Sequence, residues 1–303
     1  MFSHKVYYFC KKLMPRWLQI VIRRRIANRL RCKCEDIWPI NQKSKKCLDN
    51  FKGWPDDKQF VFLLRHDVET KRGYIKYKQL LNIDKEFGLK ASFNFVPKRY
   101  DVLTEDIENI NRNGFEVGVH GLKHDGRLYM SRKLFNERAN KINEVLMNWQ
   151  SVGFYSPSAH HKLNWLEALN VLYDSSTFDT DPFEPQPDAV ETIFPFNVHC
   201  NSNNNFIEIP YTLPQDFTLF VILKEKDIDI WVEKCAWIAK HNGVVFLNTH
   251  PDYMRLDKEK PKINEYDVNL YIKFLDHLTK KYKGQFWQPL PRELAMYWLN
   301  QDK

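Results

Sequence analysis

The chain has 303 residues, 43% of them hydrophobic and 15% aromatic. That is enough to bury a large core, and it lies well outside the composition of disordered chains. No run approaches the roughly 18 apolar residues that a membrane span requires. Lys11 and Lys12 interrupt the first apolar stretch and no small-residue cleavage site follows, so a secretory leader is not expected. Charge is lopsided: residues 1–46 hold thirteen Lys or Arg and two acids, a net of +11 against +8 for the whole chain, which leaves −3 for the rest. Basicity therefore belongs to an N-terminal arm and not to the fold.

Taken in order, the chain opens on residues 1–35, where Trp17, Leu18, Val21, Ile22, Ile26 and Leu30 recur at helical spacing among Arg23, Arg24, Arg25, Arg29 and Arg31. A basic amphipathic helix of this kind packs on its own domain with a solvated arginine face, or lies peripherally on an anionic membrane surface. A nucleic-acid backbone is the third option, and nucleic acid is not the expected partner. Residues 1–46 read as this arm and residues 47–303 as one domain, with Asn41–Cys47 a polar linker and Lys52–Asp57 a turn. The cysteines at 10, 32, 34, 47, 200 and 235 form no disulfide framework in a chain this long. Reduced thiols in a cytoplasmic protein are expected.

From there strands and helices alternate. Strand Phe60–Leu64 leads to a helix over Gly73–Phe87 closed by Gly88, then strand Ala91–Val96, helix Glu105–Asn113 and strand Phe115–Val119. A long helix Ser131–Trp149 precedes Gly153–Ser158, helix Asn164–Leu172 and a Pro-rich loop over Asp179–Pro195. Strands Phe194–Val198 and Phe206–Tyr211, helix Ile228–Ala239, strand Val244–Asn248, helix Asn269–Tyr282 and a last helix near Arg292–Leu299 complete the chain. Such alternation predicts an α/β fold with a parallel sheet, closed or nearly closed into a barrel. In such barrels the chemistry sits at the carboxyl ends of the strands.

Two of those ends are chemically loaded. Asp67 and Glu69 follow the first strand, and side chains two apart leave a strand on the same side. His120 ends the strand Phe115–Val119, with His124 four residues on and Gly118, Gly121 and Gly126 around them. Two imidazoles and a carboxylate are a metal-ligand set that leaves positions open for water and substrate. An exposed ion pair of Asp67 or Glu69 with Arg65, Lys71 or Arg72 is the plainer alternative, weakened by the five apolar residues that carry the acids out of the core. His250, in LNTHPDY after another buried strand, also reaches the mouth, where a histidine suits protonation of a leaving amine.

The segments RHDVE, HGLKHDG, GFYSPS, YDSSTFDTDPFEP, IPYTLPQDF and LNTHPDY, in this order over about 56–253, resemble the polysaccharide deacetylases, carbohydrate esterases with a NodB-like domain. They look most like the branch found with bacterial surface-polysaccharide genes. The resemblance implies a distorted (β/α) barrel, a divalent metal of the zinc type, and hydrolysis of an N-acetyl group on an amino sugar or polysaccharide precursor. It assigns Asp67 as general base, Glu69, His120 and His124 as metal ligands, His250 as general acid, and Leu247 to the acetyl pocket. It also places an oxyanion-binding N–H in the segment from Tyr155 through Ser156 and Pro157 to Ser158. His160 and His161 fall near the mouth. Asp174, Asp179, Asp181 and Glu184 would help orient the acidic histidine, and Trp165, Phe183 and Tyr211 could stack on sugar or simply pack. Cys235 and Trp237 read as packing.

Two positions depart from the family pattern. Glu69 stands for an aspartate, and Tyr155 stands for an arginine that holds the catalytic aspartate; Arg127 and Arg65 are the candidate replacements. The same chain therefore has a second reading, a family relative without turnover that binds or assembles glycans.

Overall fold

A computed structural model describes residues 15–47, 51–200, 204–257, 260 and 262–301. Residues 1–14 of the expected arm, including Cys10, lie outside the described residues. Strand β1 (Phe60–Val68) is buried along all nine residues, as a parallel strand covered on both faces must be. It therefore runs four residues past the predicted end at Leu64 and carries Asp67 within it. Around it are α2 (Lys71–Glu86), β2 (Ser92–Phe95), α3 (Thr104–Arg112), β3 (Glu116–His120), α4 (Arg132–Trp149), β4 (Gly153–Tyr155) and β5 (Tyr173–Asp174), with α1 (Arg16–Arg31) preceding them. The second half adds β6 (Phe196–Val198), β7 (Phe206–Glu208), α5 (Asp229–Lys240), β8 (Val244–Thr249), the short pair β9 (Met254–Arg255) and β10 (Tyr266–Asp267), α6 (Asn269–Lys281), β11 (Phe286–Trp287) and α7 (Pro291–Leu299).

The sheet order is β11-β1-β2-β3-β4-β5-β7-β6, with β8 also on β1. Pairing is parallel except that β6 runs antiparallel to β7, a departure from the all-parallel expectation. The sheet curls until Thr212 and Leu213, just past β7, donate backbone hydrogen bonds to Phe246 on β8. The result is the distorted (β/α) barrel read from the sequence.

Local chemistry sets most boundaries. Thr70 caps α2 by accepting from Arg72 N–H, and Ser131 caps α4 through Leu134 N–H. The strand predicted over Phe206–Tyr211 stops at Glu208 because Pro210 has no N–H to give the ladder. The helix predicted over Asn164–Leu172 is one turn, Leu163–Leu166. Beyond it Ala168 and Leu169 close i→i+3 turns, while the Asn143 side chain takes up Ala168 O and Asn170 N. Asn41–Cys47 is not a free linker: residues 42–45 form a 3₁₀ turn, Ser44 is fully buried, and its carbonyl accepts from Ile193 N–H. A π-helix over Phe217–Leu223 has no predicted counterpart. Its seven residues, apolar but for Thr218, carry no helical period to read.

Helix α1 lies against that π-helix. Ile20 and Ala27 are buried beneath it, and Arg24 donates to the carbonyls of Val221 and Ile263 at 3.0 Å each. Residues 16–31 are thus packed on the domain. Among the described residues no helix is long and apolar enough to cross a membrane.

Around Asp67 the barrel interior is largely polar, with Phe246 beside Arg65. Strand alternation points Arg65 and Asp67 of β1, Ser92 and Asn94 of β2, Glu116 of β3, Tyr155 of β4 and Asn248 of β8 toward one another. Gly118 makes the room, since a Cβ there would meet Asn94 Oδ1 at 2.1 Å and Tyr155 Cε2 at 2.6 Å. Gly118→Ala is therefore expected to lower unfolding stability by about 1–3 kcal/mol through overpacking, measured by urea denaturation. An unchanged midpoint would show that this interior is loosely filled.

Candidate metal centre and active site

Asp67 is 2% exposed and satisfied on both oxygens: Asn94 Nδ2 donates to Oδ1 at 2.9 Å and Asn248 Nδ2 to Oδ2 at 3.0 Å. Arg65 Nη2 lies 3.4 Å from Oδ2. Burial alone would raise this carboxyl. Arg65, His120, His250 and the Asn94 hydrogen bond outweigh it and hold the group at about 2. Arg65 thus does what the sequence leaves open at position 155. Its guanidinium lies 4.6 Å from the centre of the Tyr155 ring and donates to Ser175 O at 2.7 Å. Tyr155 does not touch Asp67. Its hydroxyl pairs with Tyr173 at 2.7 Å and Ser92 at 3.3 Å, and its ring is the platform beneath Arg65. Arg127 is exposed on the 121–127 loop.

Three ligand-type groups converge beside Asp67. One carboxylate oxygen of Glu69 and one ring nitrogen each of His120 and His124 all lie within 4.8 Å of one another. His120 Nδ1 faces the Tyr155 carbonyl at 3.2 Å; the N–H on that nitrogen leaves Nε2 with its lone pair, buried and without a hydrogen-bond partner. Burial lowers His120 to about 4, so its ring is neutral near pH 7, as a ligand requires. His124, turned back by a left-handed backbone (φ 52°), brings Nε2 to 3.0 Å from Glu69 Oε1. That nitrogen is buried and has no other polar partner. Burial would raise Glu69, but His124 and the Tyr253 hydroxyl, which donates to Oε2 at 2.5 Å, hold it well below the usual range. Orphaned imidazole nitrogens facing an ionised carboxylate fit a divalent cation. The extra methylene of Glu69 still reaches both histidines.

His250 is the cationic counterpart of Asp67. Asp216 Oδ1 lies 2.7 Å from its Nδ1, and Oδ2 accepts from its backbone N–H at 2.8 Å and from Tyr266 at 2.9 Å. Burial disfavours the charged ring, yet Asp216 first, then Glu69 and Asp67, push His250 up to about 9. Sequence reasoning missed Asp216, although it stands inside IPYTLPQDF; the acids singled out instead do other work. Asp179 pairs with Lys234 at 2.9 Å, Asp174 accepts from Ser176, and Asp181 and Glu184 take the Tyr211 hydroxyl. None of these four bonds His250. Asp252 was missed too, and it accepts the Glu69 N–H at 2.8 Å.

The remaining predicted residues scatter. Ser156 lines the cavity, but its N–H is committed to Ser176 Oγ at 2.9 Å, which removes it as an oxyanion donor. Pro157 has no N–H to offer and packs against Gly121. His160 lines a smaller neighbouring cavity of about 260 Å³ with His124 and Tyr129. His161 is buried, with Nδ1 against Ala159 O at 2.9 Å. Leu247 is fully buried and absent from the cavity wall; alternation along β8 turns it to the face opposite Asn248. Phe183 does line the cavity, Tyr211 is enclosed, and Trp165 packs on Tyr129 and Phe135.

No protein-family model matches the sequence, and no curated protein sequence matches it either. Solved structures do. A structure described as a polysaccharide deacetylase of Mycobacterium smegmatis superposes with a TM-score of 0.62 at 16% identity, over 82% of this chain and 93% of that one. One from Pseudomonas aeruginosa PAO1, also described as a polysaccharide deacetylase, gives 0.62 at 14% over 82% and 93%. An allantoinase gives 0.62 at 14% over 82% and 92%. The chain has the NodB-like polysaccharide deacetylase fold, which its sequence segments resemble. Because an allantoinase shares that fold, substrate must be argued from the site.

The folded value of His250, about 9, lies above the ordinary 6.5. Its stabilisation is thus fully present below pH 6.5 and lost as pH rises through 9. Asp216→Asn is expected to lower the unfolding midpoint most at pH 6, with the gap to wild type narrowing by pH 10. Thermal melts of chelator-treated protein at three pH values check this, and a gap independent of pH would show that Asp216 does not charge His250.

Proposed function

We propose that the chain is a metal-dependent hydrolase that removes an N-acetyl group from an amino sugar or a polysaccharide precursor. One observation carries the reading: an anionic Asp67 and a cationic His250 share the wall of a cavity with the Glu69, His120 and His124 set. Environments that push two ionisable groups apart in this way assign a base and an acid.

A divalent metal, zinc in this reading, bound by Glu69, His120 and His124 would polarise the acetyl carbonyl and acidify water. Asp67 takes the proton from the water that attacks the carbonyl carbon. Its low proton affinity keeps it unprotonated over the working range, and Asn94 and Asn248 fix the orientation of its lone pairs. His250 delivers its proton to the sugar nitrogen as the C–N bond breaks, so acetate and a free amine leave. Asp216 stabilises the imidazolium and fixes its ring. Two contacts bear on the departures from the family pattern: Arg65 supplies a charge beside Asp67, and Glu69 brings a carboxylate oxygen within 4.8 Å of a nitrogen of each histidine.

Acetate release from an N-acetylated amino sugar is expected to fall about 10²–10⁴-fold in Asp67→Asn with zinc content unchanged. Tyr155→Phe keeps the ring beneath Arg65 and should retain most of the rate, whereas Tyr155→Ala should not. Stoichiometric zinc without acetate release from any N-acetylated amino sugar would favour a glycan-binding relative. No bound metal at all would remove the hydrolase reading.

A further inference from the structure

The cavity that holds the catalytic groups is far larger than one sugar needs. Its volume is about 1220 Å³, above the roughly 300–1,000 Å³ of ordinary ligand pockets. One end is polar, where Asp67, Glu69, His120, His124 and His250 meet. Much of the remainder is walled by helix α1, through Ile22, Ile26, Ala27 and Leu30, facing Phe217 and Ile222. These aliphatic side chains offer a hydroxylated oligosaccharide no hydrogen bond, and a polar ligand laid against them would lose its hydration unrepaid.

Between the polar end and this lane stand two arginines of α1. Arg16 Nη2 is 3.4 Å from the hydroxyl of Tyr253, which in turn donates to Glu69. The Arg16 and Arg23 guanidinium carbons lie 5.7 Å and 5.0 Å from the Phe217 ring centre. Among the described residues neither forms an ion pair with a carboxylate. Glu184, also in the cavity wall, accepts from Tyr211 and Gln215 at 3.0 and 2.8 Å, and Arg23 is the charge that most favours its ionised form. One cavity wall thus joins the catalytic groups, through Tyr253 and Arg16, to the arginines and aliphatic side chains of α1, with Gln19 and Thr218 among them and Ile26 half-exposed (49%).

We propose that the substrate is an amphipathic phosphate conjugate: an amino sugar joined through phosphate to a long aliphatic chain. The N-acetyl sugar lies at Asp67 and His250, the phosphate beneath Arg16 and Arg23, and the chain along Ile22, Ile26 and Leu30. Guanidinium forks match phosphate oxygens, and the aliphatic wall gains only from an aliphatic occupant. Helix α1 is on this account part of the substrate site. The inference rests on the deacetylase reading for its sugar end alone.

The test is a calorimetric titration of the full chain with decyl phosphate, decanol and inorganic phosphate, each below micellar concentration. Saturable one-to-one binding of decyl phosphate is expected, at least tenfold tighter than either of the other two. Arg16→Ala with Arg23→Ala should weaken it about tenfold. Ile26→Ser should weaken it severalfold. Equal affinity for decyl and inorganic phosphate, or binding indifferent to these substitutions, would overturn the inference while leaving the deacetylase reading in place. Decyl phosphate binding without hydrolysis of any N-acetyl sugar would instead remove that reading.

Discussion

A carboxylate sealed inside a barrel is the constraint from which the rest of this architecture follows. Removing Asp67 from water costs several kcal/mol unless its charge is answered, and three inward-facing side chains answer it: Arg65, Asn94 and Asn248. Each comes from a different position along β1, β2 or β8, so the register of the parallel sheet becomes part of the electrostatics. In turn Arg65 requires a flat partner, which Tyr155 provides, and Tyr155 requires hydrogen bonds, which Tyr173 and Ser92 provide. Tyr173 passes the demand on to Glu116, donating at 2.6 Å to a carboxyl that burial lifts to about 7. The barrel interior is one polar network, and Gly118 is the gap into which it fits.

On that foundation the mouth assembles two opposite protonation states within one cavity. Asp216 reaches His250 from the start of the π-helix and keeps it charged, while His120, His124 and Glu69 gather their ligand atoms a short way off. The same π-helix receives α1. Thus the element that carries the chain's basic charge and the element that positions the acid are packed on one another, and the cavity wall joins them.

Much of this was legible in the sequence, for identifiable reasons. Glu69, His120 and His124 stood out because strand ends deliver side chains to a common mouth, and a four-residue spacing in a glycine-rich loop lets imidazoles converge. Asp216 was hidden because its neighbours Phe217–Leu223 are apolar but for Thr218 and carry no period that would mark a helix start. For Leu247, position relative to His250 says nothing of which sheet face it occupies; alternation from Asn248 decides that. Tyr155 looked like a deficit at one site, yet the compensating arginine is on a different strand. Helix α1 read as a surface element because its arginines suggested solvent, whereas the structure turns Arg16 and Arg23 toward the cavity and Arg24 onto backbone carbonyls.

The central claim is that Glu69, His120 and His124 hold one cation next to an ionised Asp67. X-ray absorption at the zinc edge of the zinc-loaded full chain tests it most directly. The account predicts one zinc per chain with two imidazole nitrogens at about 2.0–2.1 Å and oxygen in the remaining positions, and loss of the imidazole signature in His120→Ala with His124→Ala. A thiolate-bound zinc, or an all-oxygen shell unchanged in that double variant, would contradict it.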